Sequence, residues 1–209
     1  MADLDRKLVA RTKELGQMFD VAAKQLAAKG DTRVFFTYSH GYITKRIGTH
    51  LALFRNPNSL MRLNDSFATE YLAALSGRAH GGWQKAFAWC KAMDRSMHPA
   101  NLLEVAVFWP YTKNAFELCA RNMAYVHITT DLRNALMRVK DVDAQDYGNI
   151  LIFVIEGHLY SEVKLRGRSM GTVRFAISVP FMDWLNQNAK LWRNVSVRFE
   201  TYSAVRRDR

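Results

Sequence analysis

The chain has 209 residues, 49% of them apolar, and its 30 lysines and arginines outnumber its 19 aspartates and glutamates, giving a formal net charge of +11. A chain of this length and apolar content buries a substantial core without staples. No apolar run approaches the roughly 18 residues that cross a bilayer, and the amino-terminal residues mix both charges. The sequence therefore argues against a membrane protein and against a secretion signal.

Cysteine usage bears on the cellular compartment. The two cysteines, Cys90 and Cys119, are too few and too far apart for a disulfide framework or a four-ligand zinc site. We interpret both as buried small apolar side chains. This usage favours a reducing compartment, and we expect a cytoplasmic protein.

The first hundred residues have the pattern of a mainly helical region with one short strand. Apolar residues recur every 3.6 positions in the first segment, and a run of β-branched and aromatic residues follows it. Breaks in the later helices fall at Asn56-Pro57-Asn58 and at Gly77. The predicted elements are a helix over 4–29, a strand over 33–38, and helices over 42–54, from Asn64 or Asp65 to Ser76, and over 83–96.

The second half changes character and alternates strand and helix patterns. Two apolar runs flank Glu156-Gly157, which has the composition of a tight hairpin. The predicted elements are strands over 102–109, 149–155, 158–165, 172–179 and 194–203, a helical tract ending near Val139, and a short helix after Pro180. This order is that of a ferredoxin-like fold, βαββαβ with an extra strand.

The predicted fold class is therefore α+β, with a helical amino-terminal half packed on a ferredoxin-like carboxyl-terminal half. The corresponding regions are 1–100 and 101–205, followed by a basic tail at 206–209. Because no Pro/Gly-rich linker separates the two regions, one continuous domain is an equally acceptable description.

Positive charge is concentrated in the last quarter of the chain, where ten bases face four acids from residue 157 onward. Such a block is typical of a surface that binds phosphate backbones. Glycines at 167 and 171 would let a phosphate approach the backbone closely, and Trp192 is the best candidate for stacking on a base. The candidate nucleic-acid-binding residues are Lys164, Arg166, Arg168, Arg174, Trp192, Arg193, Arg198, Arg206 and Arg207.

The six histidines show no spacing that would hold a metal, and no motif for a nucleotide cofactor occurs, so neither a metal nor a cofactor is expected. Metal-free RNA cleavage needs only a general acid or base near the scissile phosphate. His40 and His158 are weak candidates for that catalytic role.

The sequence thus favours a nucleic-acid-binding protein, for RNA or single strands, that acts as a non-catalytic subunit of a larger assembly. One alternative is a metal-independent endoribonuclease that uses His40 or His158. Another is a protein-binding inhibitor or self-assembling module, because a basic face is also complementary to carboxylates. The expected partner is a nucleic acid, with a protein complex or a homo-oligomer as further possibilities. We do not expect a membrane partner.

Overall fold

A computed structural model describes residues 5–78, 80–96, 119–120, 122–170, 198 and 200–205. In these residues the regular secondary structure is helical, with no strand. The helices are α1 (Arg6–Ala28), α2 (Val34–Thr49), α3 (Pro57–Leu75), α4 (Gly81–Ser96), a π-helical segment (His127–Leu132), α5 (Arg133–Arg138) and α6 (Ala144–Met170), with a 3₁₀ turn at Leu51–Leu53. None of these helices combines the length and apolar composition needed to cross a membrane.

The first predicted helix is confirmed, and its ends have clear local causes. Asp5 caps α1 by accepting a hydrogen bond from the backbone N–H of Lys7. The chain leaves the helix through Gly30, whose φ of 64° lies in the left-handed region that glycine adopts without a steric penalty.

The predicted strand over 33–38 is wrong, because these residues form the start of α2. Helix α2 packs against α1, α3 and α6, and five consecutive residues from Val34 to Tyr38 are buried. A helix that is buried on every side shows no polar face and therefore no 3.6-residue period. Its aromatic and β-branched content reflects a central position in the core rather than a pleated sheet.

Helix α3 begins earlier than predicted. Asn56 caps it by accepting from the backbone N–H of Ser59, and Pro57 occupies its first turn. Asn64 is therefore a buried residue inside the helix rather than a cap, and its side chain accepts a hydrogen bond from Thr44 Oγ1 at 3.1 Å. The predicted end is correct, since Gly77 follows the helix with a φ of 92°.

The predicted hairpin at Glu156-Gly157 is also wrong, because both residues lie inside the 27-residue helix α6. A Cβ at position 157 would lie 2.8 Å from the backbone carbonyl oxygen of Ser39 in α2. Gly157 thus permits a close helix crossing rather than a turn. A short apolar run fits a buried helix as well as a strand, so this distinction could not be made from the pattern.

The ferredoxin-like fold and the α+β class are consequently overturned for the described part of the chain, which is all helical. Residues 200–205, within the predicted last strand, are helical too. The predicted strands over 102–109 and 172–179 and the region boundary near residue 100 lie outside the described residues.

Cys90 in α4 and Cys119 form a disulfide. Their predicted burial is confirmed, whereas their interpretation as separate thiols is wrong. Sequence spacing does not reveal which cysteines meet in space. The cysteines therefore no longer support a reducing compartment, and the cytoplasmic location stays a prediction.

The contact at Gly157 predicts opposite effects for two glycines of α6. Gly157→Ala should lower the free energy of unfolding by about 1 to 3 kcal/mol, because the new methyl group meets a backbone atom. Gly148→Ala should raise it by about 0.5 to 1 kcal/mol, since nothing lies within 4 Å of its Cβ and alanine favours a helix. Urea denaturation followed by circular dichroism measures both changes, and equal effects would contradict the close crossing.

The disulfide predicts a stability difference that depends on the oxidation state. Its two cysteines are 29 residues apart, and a cross-link of this span stabilises a fold by about 3 to 4 kcal/mol in the chain-entropy account. The free energy of unfolding of Cys90→Ala/Cys119→Ala should be lower than that of the oxidised protein by most of this amount. Mass spectrometry of the alkylated, unfolded chain checks the bond, and two free thiols in the oxidised preparation would contradict it.

Candidate functional site: a buried polar centre

Five polar residues from four parts of the chain lie in the interior and define what we call the polar centre. They are His40 of α2, Asn64 of α3, His127 and Asp131 of the π-helical segment, and Arg198 near the carboxyl terminus. Each is at most 8% exposed. Because buried polar groups are costly unless they are paired, such a concentration needs a physical explanation.

Aromatic rings enclose the two histidines. His40 stacks on Phe19 at 4.8 Å between ring centroids and meets Phe67 edge-on at 5.2 Å. His127 lies edge-on to Phe67 at 5.0 Å and to Phe36 at 5.7 Å, and the two imidazoles are 4.7 Å apart. The histidines therefore share one apolar surrounding.

This environment keeps both imidazoles neutral. Burial, reinforced by the neighbouring His127 and Arg198, holds the pKa of His40 well below its ordinary value. Burial and the charge of Arg198 also lower the pKa of His127, although Asp131 acts in the opposite direction. Each ring at neutral pH thus carries one N–H and one lone pair.

Asp131 collects three contacts from the residues around it. It accepts hydrogen bonds from Trp83 Nε1 at 2.8 Å and from His80 Nε2 at 3.0 Å, and its Oδ2 lies 3.6 Å from His127 Nδ1. Burial raises the pKa of Asp131, but the contacts with His127, His80 and Trp83 outweigh burial and hold it below the ordinary value. Asp131 is therefore a buried anion that faces the Nδ1 side of His127.

The backbone that carries His127 and Asp131 is π-helical from His127 to Leu132. Single π-helical turns inside helices are rare and occur frequently at functional sites. Neither residue is among the candidates predicted from the sequence. The pattern His-x-x-x-Asp, which places the two side chains on one helix face, is the signal that would have found them.

Several buried polar atoms of the centre have no hydrogen-bond partner among the described residues. They are His40 Nε2, Asn64 Nδ2, His127 Nδ1 and Arg198 Nε. The 3.6 Å from His127 Nδ1 to Asp131 exceeds hydrogen-bond length, so this contact is electrostatic. Asn64 lies one helical turn from Phe67, which contacts both histidines, and the charge of Arg198 acts on both histidines, so these residues lie in one region.

Arg198 is placed by its backbone rather than by a charge partner. Tyr147 Oη donates a hydrogen bond to the Arg198 carbonyl oxygen at 3.1 Å, and the rings of Tyr147 and Tyr202 stack at 4.7 Å. Burial lowers the pKa of Arg198, and no carboxylate among the described residues pairs with its guanidinium group. Its burial differs from the surface position that a phosphate-backbone contact would require.

The other predicted residues are not gathered into one loop. His158, Lys164, Arg166 and Arg168 all lie on α6, which continues to Met170 and replaces the predicted glycine-flanked loop. At about 100° per residue, positions 164 and 166 lie on nearly opposite faces of the helix. Lys164 is exposed, with Nζ 5.4 Å from the ring centre of Tyr160.

The remaining candidates cannot be placed. Arg174, Trp192, Arg193, Arg206 and Arg207 lie outside the described residues. Their role in binding nucleic acid stays a prediction. In the part of the chain that is described, no three His, Cys, Asp or Glu side chains are arranged to hold a metal ion.

Comparison with known proteins gives one family match. Residues 13–107 match the model of a family described as a family of unknown function, DUF5995. The matched span contains His40 and Asn64 and ends before His127 and Arg198. Comparisons with curated proteins and with solved structures gave no match. The description names no activity, so the geometry of the polar centre carries the functional argument.

The depressed histidine pKa values predict a loss of stability in acid. Below the ordinary histidine pKa of 6.5, the unfolded chain binds protons at His40 and His127 that the folded protein does not bind. The free energy of unfolding therefore decreases as the pH is lowered. Each histidine contributes up to about 1.4 kcal/mol per pH unit in this range. Above about pH 7 both histidines are neutral in the folded and the unfolded chain, and this loss of stability is absent.

Urea denaturation between about pH 7.5 and pH 5 measures this slope. The double variant His40→Phe/His127→Phe should flatten the profile, since it removes both proton-binding sites from the unfolded chain and the folded protein alike. An unchanged slope in the double variant would assign the acid sensitivity to other groups.

Proposed function

We propose that the protein binds a small molecule at the polar centre, inside its helical bundle, and that His127 acts there as a proton acceptor. The observation that carries the proposal is the group of buried polar atoms that have no partner within the described ranges, contributed by α2, α3, the π-helical segment and Arg198. A ligand that supplies the missing hydrogen bonds would explain why these atoms are kept together in the core.

Energetics support a functional explanation of these atoms. Leaving one buried donor or acceptor unsatisfied costs about 1 to 3 kcal/mol, and folded proteins contain few such groups. Replacing them with apolar side chains of similar shape would remove the cost. Their retention in one region therefore favours a role in binding over a role in stability.

The burial of the centre indicates the size of the ligand. His40 is 2% exposed and His127 is 1% exposed, so a polymer would have to open the bundle to reach either ring. A small molecule needs only a transient path between helices. The burial of the two rings therefore favours a small-molecule site over the endoribonuclease alternative, in which His40 would contact an RNA backbone.

The arrangement around His127 supports proton transfer. The Asp131 carboxylate faces Nδ1 of His127, and a carboxylate in this position favours the tautomer that carries its proton on Nδ1. The other ring nitrogen, Nε2, then presents a lone pair. Because the pKa of His127 is lowered, the ring is in its basic form at neutral pH, as a general base must be.

Nucleic-acid binding stays a separate prediction. Among the described residues, several bases lie beside carboxylates that reduce the local positive charge. These pairs are Arg62–Asp141 at 2.8 Å, Arg138–Glu70 at 3.3 Å and Lys45–Asp20 at 2.6 Å. The inhibitor or self-assembly alternative likewise rests on the sequence alone.

His40→Phe separates a functional histidine from a structural one. Phenylalanine keeps the ring packing against Phe19 and Phe67 and removes the unpartnered Nε2, so the free energy of unfolding should rise by about 1 kcal/mol. The matched control is Thr37→Val, which breaks the buried 2.7 Å hydrogen bond to Tyr71 Oη and should lower the free energy of unfolding by a similar amount.

Ligand binding completes the test. Thermal unfolding with defined panels of carboxylates, phosphates, polyols and amides should give at least one compound that stabilises the wild type and not His40→Phe. The proposal fails if His40→Phe is as destabilising as Thr37→Val and no compound separates the two proteins.

A further inference from the structure

We infer that the small molecule bound at the polar centre is an oxyanion, bearing a carboxylate or a phosphate group, and that Arg198 supplies its counter-charge. The inference rests on the proposed function, because it concerns the same site, and it names the chemical class of the ligand. Its basis is a buried arginine whose Nε has no hydrogen-bond partner, and which forms no ion pair, among the described residues.

Arg198 carries a positive charge in the interior of the protein. A guanidinium group keeps its proton in proteins even where burial lowers its pKa, so Arg198 is a cation inside the fold. It is 8% exposed, and its Nε has no hydrogen-bond partner in the part of the chain that the structure describes. An isolated buried charge is among the most expensive features a folded protein can retain, so this group requires a counter-ion.

The described carboxylate at the polar centre is already engaged. Asp131 receives hydrogen bonds from Trp83 and His80 and faces His127, and it forms no ion pair with Arg198. Its negative charge is thus directed towards the face of the centre formed by α4 and the π-helical segment. A negatively charged ligand bound at the centre would balance Arg198.

The unpartnered atoms indicate the same chemistry. Asn64 Nδ2 and Arg198 Nε are donors only, and the neutral ring of His40 can donate through Nε2. A partner for such a set must be rich in acceptors and, because of Arg198, negatively charged. Carboxylates and phosphates fulfil both conditions, and arginine binds them through two parallel N–H groups.

The carboxyl-terminal segment holds the arginine in place for this role. Tyr202 Oη donates to the Val142 carbonyl oxygen at 3.0 Å, and Tyr147 Oη donates to the carbonyl oxygen of Arg198 itself at 3.1 Å. These bonds and the stacked tyrosine rings fix the backbone at Arg198 without using its side chain. The guanidinium group is thereby left available for a ligand.

Binding measurements on arginine variants test the inference. Inorganic phosphate and citrate are titrated by calorimetry into the wild type, Arg198→Met and Arg198→Lys at constant ionic strength, with glycerol as a neutral probe. We expect the wild type to bind at least one of the two anions and Arg198→Met to bind it at least tenfold more weakly. Arg198→Lys should lie between them, because lysine keeps the charge and loses the paired N–H groups.

Arg138→Met is the matched control, since Arg138 is an exposed arginine whose side chain is 59% accessible. It should bind the anions like the wild type. If Arg198→Met does not fold, the comparison of Arg198→Lys with Arg138→Met decides the question: weaker anion binding in the former supports the inference and equal binding overturns it.

The outcomes separate the ligand class from the proposed function. Anion binding that is unchanged in both Arg198 variants overturns the inference. Stabilisation by neutral compounds alone, lost in His40→Phe, overturns the oxyanion and leaves the small-molecule site intact. Absence of any ligand together with a destabilised His40→Phe overturns both.

Discussion

The close crossing of α6 over α2 is the constraint on which the described structure depends. Gly157 removes the side chain that would otherwise meet the carbonyl oxygen of Ser39, so the two helices approach closely enough to enclose α2 between α1, α3 and α6. His40 directly follows Ser39 in α2 and is buried. The rings of Phe19, Phe36 and Phe67 contact it, so the packing of α2 among its neighbours holds this residue of the polar centre in the interior.

Burial then determines the chemistry. Aromatic rings around His40 and His127 keep both imidazoles neutral, while Asp131 stays ionised because Trp83, His80 and His127 stabilise its charge. A neutral histidine beside an ionised carboxylate is a base at neutral pH. Arg198, which pairs with no carboxylate among residues 5–78, 80–96, 119–120, 122–170 and 200–205, adds a positive charge to the same interior. The combination favours an acid–base site for a small anion over a structural core.

The sequence predicted what local signals encode and failed where long-range packing decides. The carboxyl-terminal ends of α1 and α3 were predictable from Gly30 and Gly77, whose conformations depend on neighbouring backbone groups. The apolar runs at the start of α2 and in the middle of α6 are too short to be distinguished from strands by their period. The glycine at 157 signals either a turn or a close approach, and only the position of Ser39 settles which.

Prediction of the candidate site was limited in the same way, because long-range packing determines which side chains meet. His40 was noted as a candidate because histidine has suitable chemistry, whereas His127, Asp131 and the burial of Arg198 depend on which helices meet. Positive charge suggested polyanion binding at the surface, but net charge says nothing about the depth of an individual arginine.

A crystal structure of the protein grown with phosphate or citrate tests the central claim most directly. The account predicts an oxyanion within hydrogen-bond distance of Arg198 Nε and Asn64 Nδ2. A carboxylate of the chain itself paired with Arg198, with the polar centre filled by the protein's own side chains, would contradict it.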